Sequence, residues 1–260
     1  MKIPFEKYQG TGNDFVIIDN RTLFFDKTNK NLIQQLCNRK FGIGSDGLIL
    51  IEDHEKYDFN MVFFNPDGSQ SFCGNGSRCA VQFAYNLGMI KEHTSFVSTD
   101  GWHEAYILGE GMVKLKMNDV KEIQHNNTFD FLHTGSPHYV TFEQDIFNAD
   151  IVKKGREIRY SDTYKNIGGT NVNFIEKKGK EYIVRTYERG VENETLSCGT
   201  GVTACALSVG LRNKIQNGRI NIKTKGGDLV VEFNQTSQHS FTNIWLSGLA
   251  TFVFEGIIKV

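Results

Sequence analysis

Proline is scarce, with three residues in 260, while phenylalanine reaches 20. That balance excludes a disordered or low-complexity chain and suits a strand-rich globular protein. Charge of one sign is missing too: 29 Lys and Arg against 30 Asp and Glu leave a net charge of −1 and a pI near 6.7. No general attraction to nucleic acid or to a membrane surface is therefore expected. Long apolar runs are absent from Met1-Lys2-Ile3-Pro4-Phe5-Glu6-Lys7, which resembles neither a signal peptide nor a membrane span, so the expected compartment is the cytoplasm. The five cysteines (37, 73, 79, 198 and 205) are odd in number and include no C-x-x-C pair. This argues against a disulfide scaffold and a thioredoxin-like redox motif, and the C-x₅-C and C-x₆-C spacings fit a zinc site poorly. Free thiols and no metal are the expectation.

What is present is a Cys-Gly loop that occurs twice. Cys73-Gly74-Asn75-Gly76 and Cys198-Gly199-Thr200-Gly201 are each followed by a helical pattern. Cys79, Ala80, Phe83, Ala84 and Leu87 form one apolar face, and Val202, Cys205, Ala206 and Val209 the other. Cys79, Cys205 and Cys37 read as small buried hydrophobes. Cys73 and Cys198 each stand at a helix start, where backbone N–H groups and the positive dipole end favour an anion and favour thiolate over thiol. Two such sites suit one chemistry. Inverting a carbon centre requires one thiolate to take a proton from one face and one thiol to return a proton to the other. Two helix starts can hold an amino-acid carboxylate while enolate-like charge develops.

Along the chain, residues 6–19 read as strand, turn and strand, and residues 28–39 as a helix. Phe41-Gly42-Ile43-Gly44-Ser45-Asp46-Gly47 contains a literal G-x-G-x-x-G, but a helix precedes it and a strand follows. That order reverses the dinucleotide-binding one, so it reads as a turn. Strands are expected at 59–64, 95–99, 102–108 and 112–117. Residues 118–135 are polar and read as a crossing between domains. Then come a strand from Ser136, a surface helix within 145–165, strands at 182–187, 219–224, 228–233 and 243–247, and a last strand at 249–258. Gly168-Gly169-Thr170-Asn171 echoes Gly10-Thr11-Gly12-Asn13. Cys73 and Cys198 are 125 residues apart, as are Thr99-Asp100-Gly101 and Thr224-Lys225-Gly226. This repeat points to two similar α/β domains related by an approximate twofold axis, with the helix starts facing each other across a cleft. The expected domains are 1–117 plus 248–260, and 118–247.

The residues carrying this pattern resemble the diaminopimelate epimerase family. The matching pieces run in family order: Gly12-Asn13-Asp14-Phe15, Arg39 to Gly47, Phe64-Asn65-Pro66-Asp67-Gly68, Cys73 to Cys79, Pro137-His138, Asn171-Val172, Tyr187-Glu188-Arg189-Gly190 and Cys198-Gly199-Thr200-Gly201. The resemblance implies an α/β (α+β) fold in which each domain is a curved, mostly antiparallel sheet around a central helix. It implies cofactor-independent interconversion of LL- and meso-diaminopimelate, with neither metal nor pyridoxal phosphate. It makes Cys73 and Cys198 the acid–base thiols and His138 and Glu188 their catalytic helpers. Gly74, Asn75, Gly199 and Thr200 would hold the reacting carboxylate. Asn13, Asn65, Asn171, Glu188 and Arg189 would make the other substrate contacts. A homodimer is one assembly open to it. Two positions depart from the family: Ser136 stands where many members have Asn, and Gly47 where some have Gln. Ser136 keeps a donor with shorter reach, and Gly47 has no side chain to offer.

Two ionic poles on one substrate match the residue types, since Arg189 can grip a carboxylate bidentately and Glu188 can pair with an ammonium. A proline or hydroxyproline racemase of the same fold is the alternative enzyme, but its substrate has one pole and no use for Glu188-Arg189. An amino-acid-binding protein would explain the helix starts without needing a thiol at each.

Overall fold

The computed structural model describes residues 1–260. It divides into two compact units, Met1–Leu115 with Gly248–Val260, and Lys116–Ser247. In the first, β1 (Lys2–Gly10) turns tightly into β2 (Asn13–Asp19). Then follow α1 (Lys30–Cys37), β3 (Gly47–Glu52), β4 (Phe59–Phe64), α2 (Gly74–Asn86), β5 (His93–Ser98), β6 (Gly101–Ile107) and β7 (Met112–Lys116). β1 and β2 pair antiparallel, β2 and β3 parallel, and β3 and β4 antiparallel. β4 then runs parallel to β5, which pairs antiparallel with β6.

The pleat sends alternate side chains to opposite faces. Val16, Ile18, Leu48, Leu50, Val62 and Phe64 pack beneath Leu32, Ile33 and Leu36 of α1. Phe15, Ile49, Met61 and Phe63 lie on the other face, which α2 covers. A helix on each face explains why β3 is buried along its whole length. Asn29 caps α1 by accepting from the Leu32 amide at 3.0 Å.

The second unit contains β8 (Ile123–His125), β9 (Phe129–His133), β10 (Pro137–Phe142), α3 (Ile151–Arg159), α4 (Asp162–Lys165), β11 (Asn171–Lys178), β12 (Glu181–Glu188), β13 (Asn193–Thr195), α5 (Gly199–Arg212), β14 (Asn217–Thr224), β15 (Gly227–Ser237) and β16 (Ser240–Leu249). β9 and β10 pair antiparallel, β10 and β11 parallel, β11 and β12 antiparallel, β12 and β14 parallel, and β14 and β15 antiparallel. That is the first unit's scheme again. β9 takes the place of β1, β10 of β2, β11 of β3 and β12 of β4, with α3 in place of α1 and α5 in place of α2. β17 (Thr251–Lys259) belongs to the first unit and runs antiparallel along β1. No helix is long and apolar enough to cross a membrane.

Two expectations are corrected. Residues 118–135 hold strands: Phe129–His133 alternates in burial and pairs with both β8 and β10. Its polar look comes from Asp130 and the exposed positions, since Asp130 itself is buried against Arg212. The likeness of Gly168–Asn171 to Gly10–Asn13 is also local only. Strand order equates β2 with β10, and β11 with β3. A glycine-rich entry to a strand looks alike wherever a chain must turn sharply.

α5 is enclosed on all sides, with every residue from Gly201 to Leu211 buried. Its small side chains permit this: a Cβ on Gly210 would lie 2.5 Å from the Phe233 ring. α3 approaches β12 in the same way, and a Cβ on Gly155 would run into Tyr187, which is fully buried. Gly155→Ala should therefore destabilise the fold by about 1–3 kcal/mol through overpacking. Urea denaturation reads this, and unchanged stability would mean that the contact relaxes freely.

Candidate active site

Cys73 is the N-cap of α2, in extended backbone, and its Sγ accepts from the Gly76 amide at 3.4 Å. The Ser77 amide bonds the Cys73 carbonyl at 2.8 Å, and the Ser77 hydroxyl adds a second bond to it at 3.0 Å. Gly74 and Asn75 thus supply the first amides of a helix that is buried from Asn75 to Ala84. The Asn75 side chain donates to Asn13 Oδ1 at 2.7 Å, and Asn13 donates to Asp46 Oδ2 at 2.8 Å, which ties the helix start to the β1–β2 turn. Beneath that turn Asp14 is held by Lys7 (2.6 Å) and Arg39 (2.5 Å). Burial alone would raise the Asp14 carboxyl, but the two cations and their hydrogen bonds outweigh it and hold it at about 2.

Arg78, one turn into α2, is fully buried. Its Nη2 donates to Thr11 Oγ1 at 3.0 Å, while Nε and Nη1 have no protein hydrogen-bond partner. Thr11 sits at φ +50°, a strained conformation for a β-branched residue, and this bond helps to hold it there. Burial pulls the guanidinium pKa below its usual value, and the thiols of Cys79 and Cys73 are the anion-capable groups in its field. Burial drives the Cys79 thiol far up, so Cys79 stays protonated.

Cys198 caps α5 with the same extended backbone, and the Val202 amide bonds its carbonyl at 2.8 Å. Its Sγ lies 3.4 Å from Thr200 Oγ1. Thr200 Oγ1 lies 2.9 Å from Nε2 of His138, which is wholly buried and also 3.0 Å from Ser136 Oγ. Burial, reinforced by the nearby His133 and Arg189, lowers the His138 pKa to about 3, so the imidazole is neutral at any working pH. Its Nδ1 lies 3.1 Å from Asn173 Nδ2. Cys205, inside α5, is held protonated by burial, like Cys79.

β12 ends on Glu188, and the turn after it carries Arg189 and Gly190. The Arg189 amide donates to Asn171 Oδ1 at 2.8 Å, and Glu188 Oε2 accepts from Thr195 Oγ1 at 2.8 Å. Both side chains are half-buried. The loop closes on Glu192, which accepts from the Gly190 amide, Arg159, Tyr160 and Tyr187. Burial raises the Glu192 carboxyl, but these four donors outweigh it and hold it at about 2.

Within the first unit the structure groups Cys73, Gly74, Asn75 and Asn13. Asn65 stands at the end of β4 with its amide spent on Ser69 Oγ (3.0 Å) and Ser71 Oγ (3.1 Å). Within the second it groups Cys198, Gly199, Thr200, His138 and Ser136, with Asn171 bracing Ser136 and the Arg189 backbone. Gly47 meets the Phe63 ring and has no room for a side chain. Reasoning on the sequence alone missed Arg78, Asn173, Thr186 and Glu192. For Arg78 and Asn173 a signal existed, because each is a polar residue in a pattern that otherwise faces the core.

The description "Diaminopimelate epimerase" belongs to the family model that matches residues 5–123 and 131–252. The chain belongs to the diaminopimelate epimerase family. A diaminopimelate epimerase of Flavobacterium psychrophilum is 50% identical over 254 residues, covering 97% of this chain and 98% of the relative. One of Aquifex aeolicus is 37% identical over 98% and 97%. Among solved structures, a Bacillus anthracis phenazine biosynthesis protein of the PhzF family superposes with a TM-score of 0.76 over the full length of both chains, at 13% identity. A hydroxyproline epimerase of Agrobacterium vitis gives 0.73 over 99% of this chain and 92% of that one, at 14%. At such identities these structures show the shared two-domain fold alone. The epimerase-family match takes in both Cys-Gly loops and the Glu188-Arg189-Gly190 loop.

Asp14 and Glu192 have folded pKa values near 2, below the usual carboxylate range of about 4. The stability they contribute is present above that range and is lost as pH falls from about 5 towards 2. Denaturation curves across this window should show a steep acid limb. Glu192→Gln should flatten the limb and lower stability at pH 7, and an unchanged limb would remove Glu192 from the account.

Proposed function

We propose that the protein is a cofactor-independent isomerase that epimerises LL-2,6-diaminopimelate to the meso form, supplying lysine and cell-wall precursor biosynthesis in the cytoplasm. One observation carries this: each unit of a repeated fold starts its buried helix on a cysteine. One thiolate removes the α-proton. The charge left on the carbon and its carboxylate is met by the first amides of α2 and α5, at Gly74, Asn75, Gly199 and Thr200. The thiol on the opposite face then gives its proton to the carbon, so one S–H is formed and one consumed. Neutral His138 assists at the Cys198 side. Glu188 and Arg189 take the ammonium and carboxylate of the substrate's far end, with Asn13, Asn65 and Asn171 completing the pocket. The Glu188-Arg189 pair favours a two-pole substrate over the single-pole substrate of a proline-type racemase. Both proton transfers are assigned to protein groups, so no cofactor is invoked.

Incubation with LL-diaminopimelate in D₂O should give meso product with deuterium at one α-carbon. Cys73→Ala and Cys198→Ala should each abolish this, and near-normal turnover in either would end the two-thiol mechanism. Arg189→Leu should cost roughly 2–5 kcal/mol of transition-state binding, from about thirtyfold to several thousandfold in kcat/KM. Efficient racemisation of proline by the wild type would instead favour the single-pole alternative.

A homodimer is the assembly we favour, because β17 exposes a run of apolar side chains. Phe252, Val253, Phe254 and Ile257 are between 44% and 68% accessible. Light scattering should return twice the 29.5 kDa chain mass, and Phe254→Asp with Ile257→Asp should halve it. A wild-type monomer would refute this assembly.

A further inference from the structure

The two units repeat the same fold, but they differ in what lies beneath the two thiols. Pairing registers align them residue by residue. In the first unit Phe15 aligns with Gly47, and Ile49 with Phe63. In the second, His138 aligns with Asn171, and Asn173 with Thr186. His138 therefore occupies the place of Phe15, Asn173 that of Ile49, and Thr186 that of Phe63. The second glycine of each Cys-Gly loop marks the same equivalence. A Cβ on Gly76 would lie 3.3 Å from Ile49 Cδ1, and a Cβ on Gly201 would run into Asn173 Oδ1. Where the first unit packs Phe15 edge-to-face on Phe63, the second buries three polar side chains in a row.

Those side chains form a string with one direction. Asn173 Nδ2 donates to the Tyr139 carbonyl at 3.0 Å, and a carbonyl can only accept, which fixes the orientation of the amide. Asn173 Oδ1 then accepts from Thr186 Oγ1 at 3.0 Å. Asn173 Nδ2 also donates to His138 Nδ1, so a neutral His138 carries its proton on Nε2. Nε2–H points at Thr200 Oγ1 and Ser136 Oγ, and Ser136 also receives Asn171 Nδ2 at 3.0 Å. Thr200 Oγ1 thus accepts from Nε2–H and keeps its own hydroxyl hydrogen, which Cys198 Sγ, 3.4 Å away, can accept. Ser136 Oγ, also 3.4 Å from Thr200 Oγ1, has Asn171 and Nε2–H as donors and its own hydrogen to turn to Thr200. We infer that the string Thr186–Asn173–His138–Thr200 polarises towards Cys198 and stabilises its thiolate, and that Asn173 and Thr186 are positioning residues for this thiol. The inference builds on the two-thiol reading above. It assigns roles to two residues that touch neither substrate nor sulfur. The titratable and charged groups facing His138 are His133 from β9 and Arg189 just after β12, while Cys205 within α5 faces Cys198 and the buried Asp130 of β9. Neither group facing His138 is a carboxylate that would draw its proton back to Nδ1, and Asp130 is paired with Arg212.

Two measurements on the substrate-free full-length protein test this. Long-range ¹⁵N NMR should find His138 neutral and protonated on Nε2 from pH 5 to 9; an Nδ1–H tautomer, or a cation at pH 7, overturns the inference. Iodoacetamide labelling of Cys198 in a Cys73→Ala background, followed by peptide mass spectrometry against pH, reads the thiolate directly. Asn173→Leu should slow labelling at pH 7 about tenfold, equivalent to a rise of about one pKa unit. Thr186→Val should slow it about threefold, while Thr186→Ser should leave it unchanged. Where Asn173→Leu does not fold, the Thr186 pair and the wild-type tautomer decide. A folded Asn173→Leu, or a Thr186→Val, that labels like its parent also overturns it. Neither measurement uses substrate, so a wrong substrate assignment would leave both results standing.

Discussion

A helix that begins inside a protein starts with amide hydrogens that no earlier turn can accept. Much of this molecule is arranged around that constraint, met twice. Each unit wraps strands around a helix whose body is buried, while its first residues stay partly accessible at Cys73, Gly74 and Thr200. The residues at the start are then restricted. Glycine is needed where β3 or β11 passes close, as at Gly76 and Gly201. A short polar side chain is needed to tie the start to its surroundings, as Asn75 does to Asn13 and Thr200 to His138. The cap itself is cysteine, whose sulfur is a modest acceptor but an adjustable acid. Backbone amides gathered at a helix start favour an anion such as a carboxylate.

The units solve the electrostatics of their thiols by different means. Under Cys73 the support is a full positive charge: Arg78 is buried with no carboxylate to neutralise it and a single side-chain bond to hold it. Such a charge is tolerated only where a negative partner is expected, and with Cys79 locked as a thiol, the candidates are the Cys73 thiolate and a bound carboxylate. Under Cys198 the support is a chain of neutral dipoles whose direction is set by one backbone carbonyl, that of Tyr139. A charge acts at a distance and is indifferent to geometry, whereas a hydrogen-bond chain acts through contact and is lost when one link turns. Approximate symmetry in the fold therefore need not mean two equivalent acids. In the proposed mechanism, a substrate whose far end is chiral and held by Glu188 and Arg189 presents unlike faces to the two thiols.

Much of the frame was legible in the chain. The equal spacing of the Cys-Gly loops and the hairpins announced a repeat, and the helical patterns after each loop located α2 and α5. The apolar faces put Cys79 and Cys205 inside. What failed did so for physical reasons. Residues 118–135 read as a linker because Asp130 is a buried carboxylate, and composition cannot reveal that Arg212, 82 residues later, neutralises it. The resemblance of Gly168–Asn171 to Gly10–Asn13 misled because turn chemistry is local, whereas equivalence in a sheet is a matter of pairing. The asparagines illustrate a further limit. Sequence offered Asn13, Asn65 and Asn171 as substrate contacts, and the structure shows each also engaged in holding its own turn or strand end. Asn173, never singled out, bonds His138 directly.

Cysteine at these two N-caps is a choice against stability. Serine, aspartate or asparagine would accept more strongly from the second and third amides, and a good cap contributes about 1 kcal/mol. The Cys73 sulfur accepts at 3.4 Å, and the start of α2 is reinforced instead by the Ser77 hydroxyl folding back onto the cap carbonyl. α5 has a similar bond one residue further on, Thr203 Oγ1 to the Gly199 carbonyl at 2.9 Å. Both helices thus secure a carbonyl of their first turn from within. In the mechanism proposed above, a carboxylate bound at these helix starts adds to the caps, so part of its binding energy is the capping energy that cysteine withholds. When a proton leaves the adjacent carbon, the charge spreads onto that same carboxylate, and the amide bonds strengthen as the transition state is approached. In that proposed mechanism the weak cap, the buried helix and the acid–base sulfur are one arrangement, and replacing either cysteine with a better cap would favour the helix at the expense of the reaction.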